Sequence, residues 1–239
     1  MTAINMIPLD AAKHKNLRIK VDRNYSHVSH QNMTPLLASE FLAASTNFPI
    51  VFVKQQETGK FKSVALLGLD TKENLVFANN KVLSNYSPVN IRRYPFAAGA
   101  KTADESEIVL CIDENSTLLN ETEGVEIFDE NGKPSESTQK ITTLLTDILA
   151  KDAATDIFIA FLVENDLLQP AQVKLSLGKE GDKKLNGLYK VDEEALNELS
   201  DEEVLTLYKR KYFPAIYAHL ASLSQFNRLL QLKSNFTPQ

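Results

Sequence analysis

Between Ile50 and Phe77 the chain lays down three apolar runs, Ile50–Val53, Phe61–Leu69 and Leu75–Phe77, joined by short polar connections. Parallel strands need a crossover of about a dozen residues or more, so these connections leave an antiparallel meander. β-Branched and aromatic side chains fill the runs, and Gly59, Asp70 and Asn74 punctuate them. Gly68 interrupts the second run, which predicts a bulge or a close backbone approach there. Upstream, Thr34-Pro35 predicts a helix start, with Leu37, Phe41 and Ala44 at helical spacing and Pro49 as its stop.

Elsewhere in the N-terminal half, Leu17-Arg18-Ile19-Lys20-Val21 alternates strictly and predicts a half-buried strand. Residues 24–32, with His27 and His30, read as a solvated polar loop. Residues 107–113 and 125–128 predict two more strands, the second ending in a turn at Asp129-Glu130-Asn131-Gly132. That turn lacks the regular oxygen ligands and distal Glu of a calcium loop, and Lys133-Pro134 breaks the pattern.

The C-terminal half changes period. Ile141, Leu144, Leu145, Ile148 and Leu149 form an amphipathic stripe, and the apolar segment Ile157–Leu168 fits a buried helix or a strand, its length and mixed Ala/Leu/Phe content favouring the helix. Val173–Leu177 and Leu185–Val191 read as a hairpin across the polar loop Gly178–Lys184. Asp192 caps a short helix, Ser200 and Glu203 form a capping box, and Pro214 opens a last helix with Ile216, Leu220, Leu223 and Leu230 on one face. The fold class is α+β: an antiparallel β-rich half, residues 1–134, packed against a mostly helical half, residues 135–239. No Pro/Gly-rich linker separates them, so one compact unit is expected.

Composition narrows the function classes. An apolar fraction of 43% with 24% charged residues excludes wholesale disorder. No run approaches the ~20 apolar residues that span a bilayer. Pro8 and Asp10 sit where a signal peptide needs its apolar region, and a lone Cys111 cannot form an intramolecular disulfide, so a cytoplasmic location is expected. Residues 1–99 carry twelve Lys/Arg and six Asp/Glu, and residues 100–239 carry fourteen and twenty-five, which leaves −5 overall. That balance, without a clustered basic stripe, excludes nucleic acid as the expected partner.

The densest specific chemistry lies between Tyr86 and Phe96. Arg92 and Arg93 offer paired donors to a carboxylate or phosphate, and Tyr86, Tyr94 and Phe96 offer an apolar or stacking wall. In an extended arm the two arginines face opposite ways, so one of them serves any given pocket. These five are the candidate ligand contacts, for a small anionic molecule, a peptide or a protein partner. No catalytic, metal or cofactor residues are assigned, because no nucleophile elbow, phosphate loop, dinucleotide fingerprint or cysteine zinc site is present. Flanked by apolar residues, Cys111 reads as an inert buried thiol. Two functions follow: a non-enzymatic binding or accessory protein, or an enzyme whose site assembles only in three dimensions around Arg92, Arg93 and a histidine, His14 or His219.

Several stretches appear together in a recognisable order: Phe48-Pro49-Ile50-Val51-Phe52, Leu67-Gly68-Leu69, Tyr86-Ser87-Pro88, Ile91-Arg92-Arg93-Tyr94-Pro95-Phe96, Gly187-Leu188-Tyr189-Lys190-Val191-Asp192 and Ile216-Tyr217-Ala218-His219-Leu220-Ala221-Ser222-Leu223. Their order resembles the bacterial SapC family over nearly the whole chain. The family name implies association with a surface layer, as component or accessory. Family members commonly carry a Trp shortly before the Tyr-x-Pro; this chain has Val82-Leu83 and no Trp, which weakens any aromatic platform there.

Overall fold

Ile50, Val51 and Phe52 are fully buried in succession, so the strand Ile50–Lys54 is covered on both faces and belongs at the middle of a sheet. A computed structural model of the chain, which describes residues 4–21, 25–78, 81–100, 108–176 and 181–235, places it there. The fold is α+β, with antiparallel sheets mostly in the N-terminal half and helices mostly in the C-terminal half. Two compact units emerge, each discontinuous in sequence: unit one is residues 1–27 and 89–150, unit two residues 28–88 and 151–239. Neither coincides with residues 1–134 or 135–239.

Unit two holds a five-stranded antiparallel sheet in the order Leu168–Pro170, Leu188–Val191, Ile50–Lys54, Phe61–Leu66, Met33–Pro35. The expected hairpin forms, with Ile50 opposite Ala65 and Lys54 opposite Phe61. Gly68 is indeed a close approach, since a Cβ there would run into the Glu73 carbonyl. The expected third strand does not join the sheet. Asn74 Oδ1 accepts from the amides of Val76 and Phe77 and bends the chain there, so the strand that follows, Phe77–Ala78, pairs with Lys81–Val82 in a separate two-stranded sheet. Met33–Pro35 takes the vacant edge instead of starting a helix. Proline is tolerated there because an edge strand needs no ladder donor on its outer side. The helix that follows shrinks to a 3-10 turn and one α turn, Phe41–Ala44.

Phe41, Phe52 and Phe158 form the aromatic centre of unit two, with ring centroids 6.4 and 6.3 Å from Phe41. Phe158 lies on the long helix Glu136–Glu164, whose first part belongs to unit one and last part to unit two. The stripe from Ile141 and the apolar segment from Ile157 are one helix. Ser135 starts it by accepting from the Thr138 amide, and Asp166, at φ 53°, ends it, so Leu168 opens a strand. The later hairpin pairs Val173–Ser176 with Asp182–Leu185, and Leu188–Val191 joins the main sheet. Residues 177–180 of its loop lie outside the described residues. Asp192 and Ser200 cap as expected, the latter with Glu203 in a capping box. The last predicted helix is two, Phe213–Ser222 and Gln225–Ser234, parted by tight turns at Leu223 and Ser224.

The sheet has one interruption. Leu188 lies opposite Val53 and Tyr189 opposite Phe52, a register that would next bring Val191 opposite Ile50. The His219 ring stands between them instead. Its Nε2 accepts from the Val191 amide at 3.0 Å, and its Nδ1 donates to the Ile50 carbonyl at 2.9 Å. One turn on, Ser222 Oγ accepts from the Ile50 amide and donates to the His219 carbonyl. Burial, with a lesser contribution from the Lys190 charge, holds His219 down to about 4, so it is neutral at pH 7.

Unit one is built from two small antiparallel sheets, Met6–Pro8, Ile108–Asp113, Phe96–Ala100 in one and Leu119–Asn120, Arg18–Ile19, Val125–Glu126 in the other, together with the start of the long helix. Asp113, 2% exposed, closes the first sheet by accepting from the amides of Asn5 and Asn115. Asp129 Oδ1 accepts from the amides of Asn131 and Lys133, which makes the expected turn before the helix.

The insertion of His219 sets an expectation for pH. Its unfolded form takes a proton near 6.5 and its folded form only near 4, so stability present above pH 6.5 falls as the pH drops through that window, by on the order of 3 kcal/mol. Denaturant midpoints between pH 7 and 4 measure this, and His219→Ala should lose that part of the slope. At pH 7 the same substitution should cost roughly 3 kcal/mol or more, because two buried backbone groups lose their partners. An unchanged midpoint would show that the ring is not part of the sheet.

Candidate functional site

The chain enters the site through a helical turn. Val89–Arg92 is α-helical, so the segment before Tyr94 is not the extended arm expected, and the two arginines separate by helix geometry rather than strand alternation. Arg92 is exposed at the end of the turn. Arg93 turns inward: its Nε donates to Asn90 Oδ1 at 3.1 Å and its Nη1 to the Phe96 carbonyl at 2.8 Å. Burial pushes the Arg93 pKa down from its ordinary value.

A cis bond joins Tyr94 to Pro95, and the strand Phe96–Ala100 begins directly after it. Tyr94 is held from two sides. Its hydroxyl donates to Asp113 Oδ2 at 2.7 Å, and its ring stacks on His27 with centroids 3.9 Å apart and planes 5° from parallel. Burial first, and then the Asp113 carboxylate, raise the Tyr94 hydroxyl to about 12, although Ser116 works against the shift. It is therefore a donor, not a base, at pH 7. His27 is thus part of a packed column rather than a solvated loop; nothing in sequence links it to a tyrosine 67 positions away.

Tyr94, Pro95 and Phe96 form one wall of a groove of about 330 Å³ in unit one. Facing walls come from Ile19-Lys20-Val21, from Val125-Glu126, and from Ser137, Thr138, Lys140 and Ile141 at the start of the long helix. Val21 is 76% exposed and Val125 41%, so the groove presents apolar side chains to an incoming molecule. Thr138, buried, donates to the Ile127 carbonyl and seals the floor. Glu126 is paired with Arg18 and Lys140 with Glu136, whereas Lys20 has no ion pair among the described residues. The volume lies at the small end of ligand pockets.

Of the five sequence-nominated residues, two, Tyr94 and Phe96, line this groove. Arg92 and Arg93 do not line it, and Tyr86 belongs to unit two, where its hydroxyl donates to Glu40 Oε1 at 2.6 Å. The residues that sequence reasoning did not nominate are Ile19, Val21, Val125 and Ile141, which read as core, together with Lys20 and Lys140. Their alternation and helical spacing tell which face is apolar but not that the face is left open. His14 belongs to unit one, with Nδ1 accepting from the Asp10 amide and Nε2 3.5 Å from Glu114 without hydrogen-bond geometry. His219 belongs to unit two and is engaged at both ring nitrogens. Among the described residues no group of three or more His, Cys, Asp or Glu could hold a metal ion, and no helix is long and apolar enough to cross a membrane.

The Tyr94 contacts make a prediction that the groove does not share. Tyr94→Phe leaves a buried Asp113 oxygen without its donor and should cost about 1–3 kcal/mol. In spectrophotometric titration, one of the seven tyrosines of the wild type should ionise near pH 12 and be missing from the variant. Arg93→Ala should likewise destabilise, because it removes the bonds to Asn90 and to the Phe96 carbonyl; an unchanged melting temperature would contradict the geometry.

The family model described as SapC matches residues 9–229 of the 239, and the chain belongs to the SapC family. No curated protein and no solved structure matches it.

Proposed function

We propose that this SapC family chain is a non-enzymatic binding protein, and that it takes an anionic, amphipathic ligand, a small aromatic carboxylate or the side chains of an acidic peptide, in the groove beside Tyr94-Pro95-Phe96. The observation that carries the reading is that groove: about 330 Å³, walled by apolar side chains, with Lys20 uncommitted at its rim. An apolar body would displace water from Val21, Val125 and Ile141, while an anionic group would find Lys20. Arg93 contributes indirectly, because its bond to the Phe96 carbonyl fixes the wall.

The catalytic alternative around Arg92, Arg93 and a histidine gains no support from this geometry. Arg93 spends two donors internally, and His219 has both nitrogens committed to backbone. A role as accessory to a surface layer, and a cytoplasmic location, stay part of the proposal as the family resemblance and the lone buried Cys111 suggest them.

A thermal-shift screen of aromatic carboxylates and short acidic peptides tests the site. Lys20→Ala and Val21→Asp should each weaken any hit by roughly tenfold or more, about 1.4 kcal/mol, without lowering the melting temperature of the free protein. A hit that stabilises wild type and both variants equally would place binding elsewhere.

A further inference from the structure

A second surface, in unit two, is not used by the proposal above. Residues 157–163 of the long helix are seven apolar residues in a row, and a helix that is apolar all round is normally covered all round. Here only one side is covered: Phe158, Ile159 and Leu162 are buried, whereas Ile157 is 59% exposed, Val163 40%, and Ala160 is exposed between them. These outer residues recur at spacings of three, with Glu164 one place further on, which is the seam a partner helix fills.

The seam is one wall of a groove of about 520 Å³, and the opposite wall is the hairpin bearing Lys54, Lys60 and Phe61. Lys54 Nζ lies 5.6 Å from the Phe61 ring centroid. Asp156 is already neutralised by Lys62 at 2.6 Å. Lys54, Lys60 and Glu164 have no ion pair among the described residues. The groove therefore offers uncommitted charges of both signs on facing walls, with an apolar strip between them. An anionic amphiphile would use the lysines and the strip but leave Glu164 facing its own charge. A surface that carries both signs can instead complement itself, since a two-fold contact sets residue i against j and j against i.

We propose that this face is a homodimer seam, in which two copies pack Ile157, Ala160 and Val163 antiparallel and set Lys54 and Lys60 of each copy against Glu164 of the other. The small Ala160 at the middle of the strip lets the two helices approach closely.

Sedimentation velocity on the full chain over a range of concentrations is the test, with melting curves to establish that each variant is folded. The wild type should form a dimer. Ile157→Asp, the double variant K54E/K60E and the single variant E164K should each weaken it by at least about tenfold. An equimolar mixture of K54E/K60E with E164K should restore dimerisation, because each altered wall then meets its opposite sign. A wild type that stays monomeric at every concentration overturns the proposal, as does a dimer indifferent to Ile157→Asp. A monomer whose melting temperature is raised by decanoate in the wild type but not in Ile157→Asp also overturns it, and assigns the groove to an amphiphile.

Discussion

An imidazole ring standing in for a strand-to-strand hydrogen bond is the contact on which unit two depends. Without His219, the Val191 amide and the Ile50 carbonyl would be left buried without partners where the pairing of Leu188–Val191 with Ile50–Lys54 breaks off. The ring accepts from one and donates to the other, which only the neutral form with its proton on Nδ1 can do. Ser222, three residues later on the same helix face, satisfies the remaining Ile50 amide. Four backbone and side-chain requirements are thus met by two side chains, and sheet and helix are fixed to each other in one orientation. The segment from Ile216 to Leu223 that points to the SapC family carries both of them.

Where the sequence was legible, the cause was local. The turn at Asp129–Gly132, the caps at Asp192 and Ser200 and the close approach at Gly68 are each decided by residues within about a turn of one another, and the hairpin from Ile50 to Leu66 by two runs joined by a short polar loop. Where it misled, a distant partner decided. Thr34-Pro35 has the chemistry of a helix start, yet the open edge beside Phe61–Leu66 claimed it as a strand. Leu75–Phe77 has the composition of a strand of the main sheet, yet Asn74 claimed the Val76 and Phe77 amides and turned Phe77–Ala78 to pair with Lys81–Val82 instead. The candidate site shows the same division. Tyr94 and Phe96 were visible as an unusual cluster, but the groove's other walls come from residues 19–21, 125–126 and 137–141, and period alone cannot show that they leave a space.

Charge behaves likewise. Along the sequence the first 99 residues carry a formal +6 and the rest −11, an asymmetry that suggests one positive and one negative body. The units interleave the chain and cancel most of it: unit one carries ten Lys/Arg and fourteen Asp/Glu, unit two sixteen and seventeen. The anion binding proposed above would then rest on individual lysines placed beside apolar walls rather than on a field.

The order in which the chain leaves the ribosome gives the interleaving a further meaning. Unit one has all of its residues once Ala150 has emerged. Residues 28–88 by then have waited through more than sixty residues of synthesis, and their central strand Ile50–Lys54 still lacks both its neighbour Leu188–Val191 and the helix that bears His219. Its other neighbour is already present, so an open, largely apolar strand edge persists until the helix Phe213–Ser222 is made. An unpaired strand edge of this kind is aggregation-prone until it is covered. A ribosome stalled before residue 219 would release a chain with one finished unit and one that cannot close.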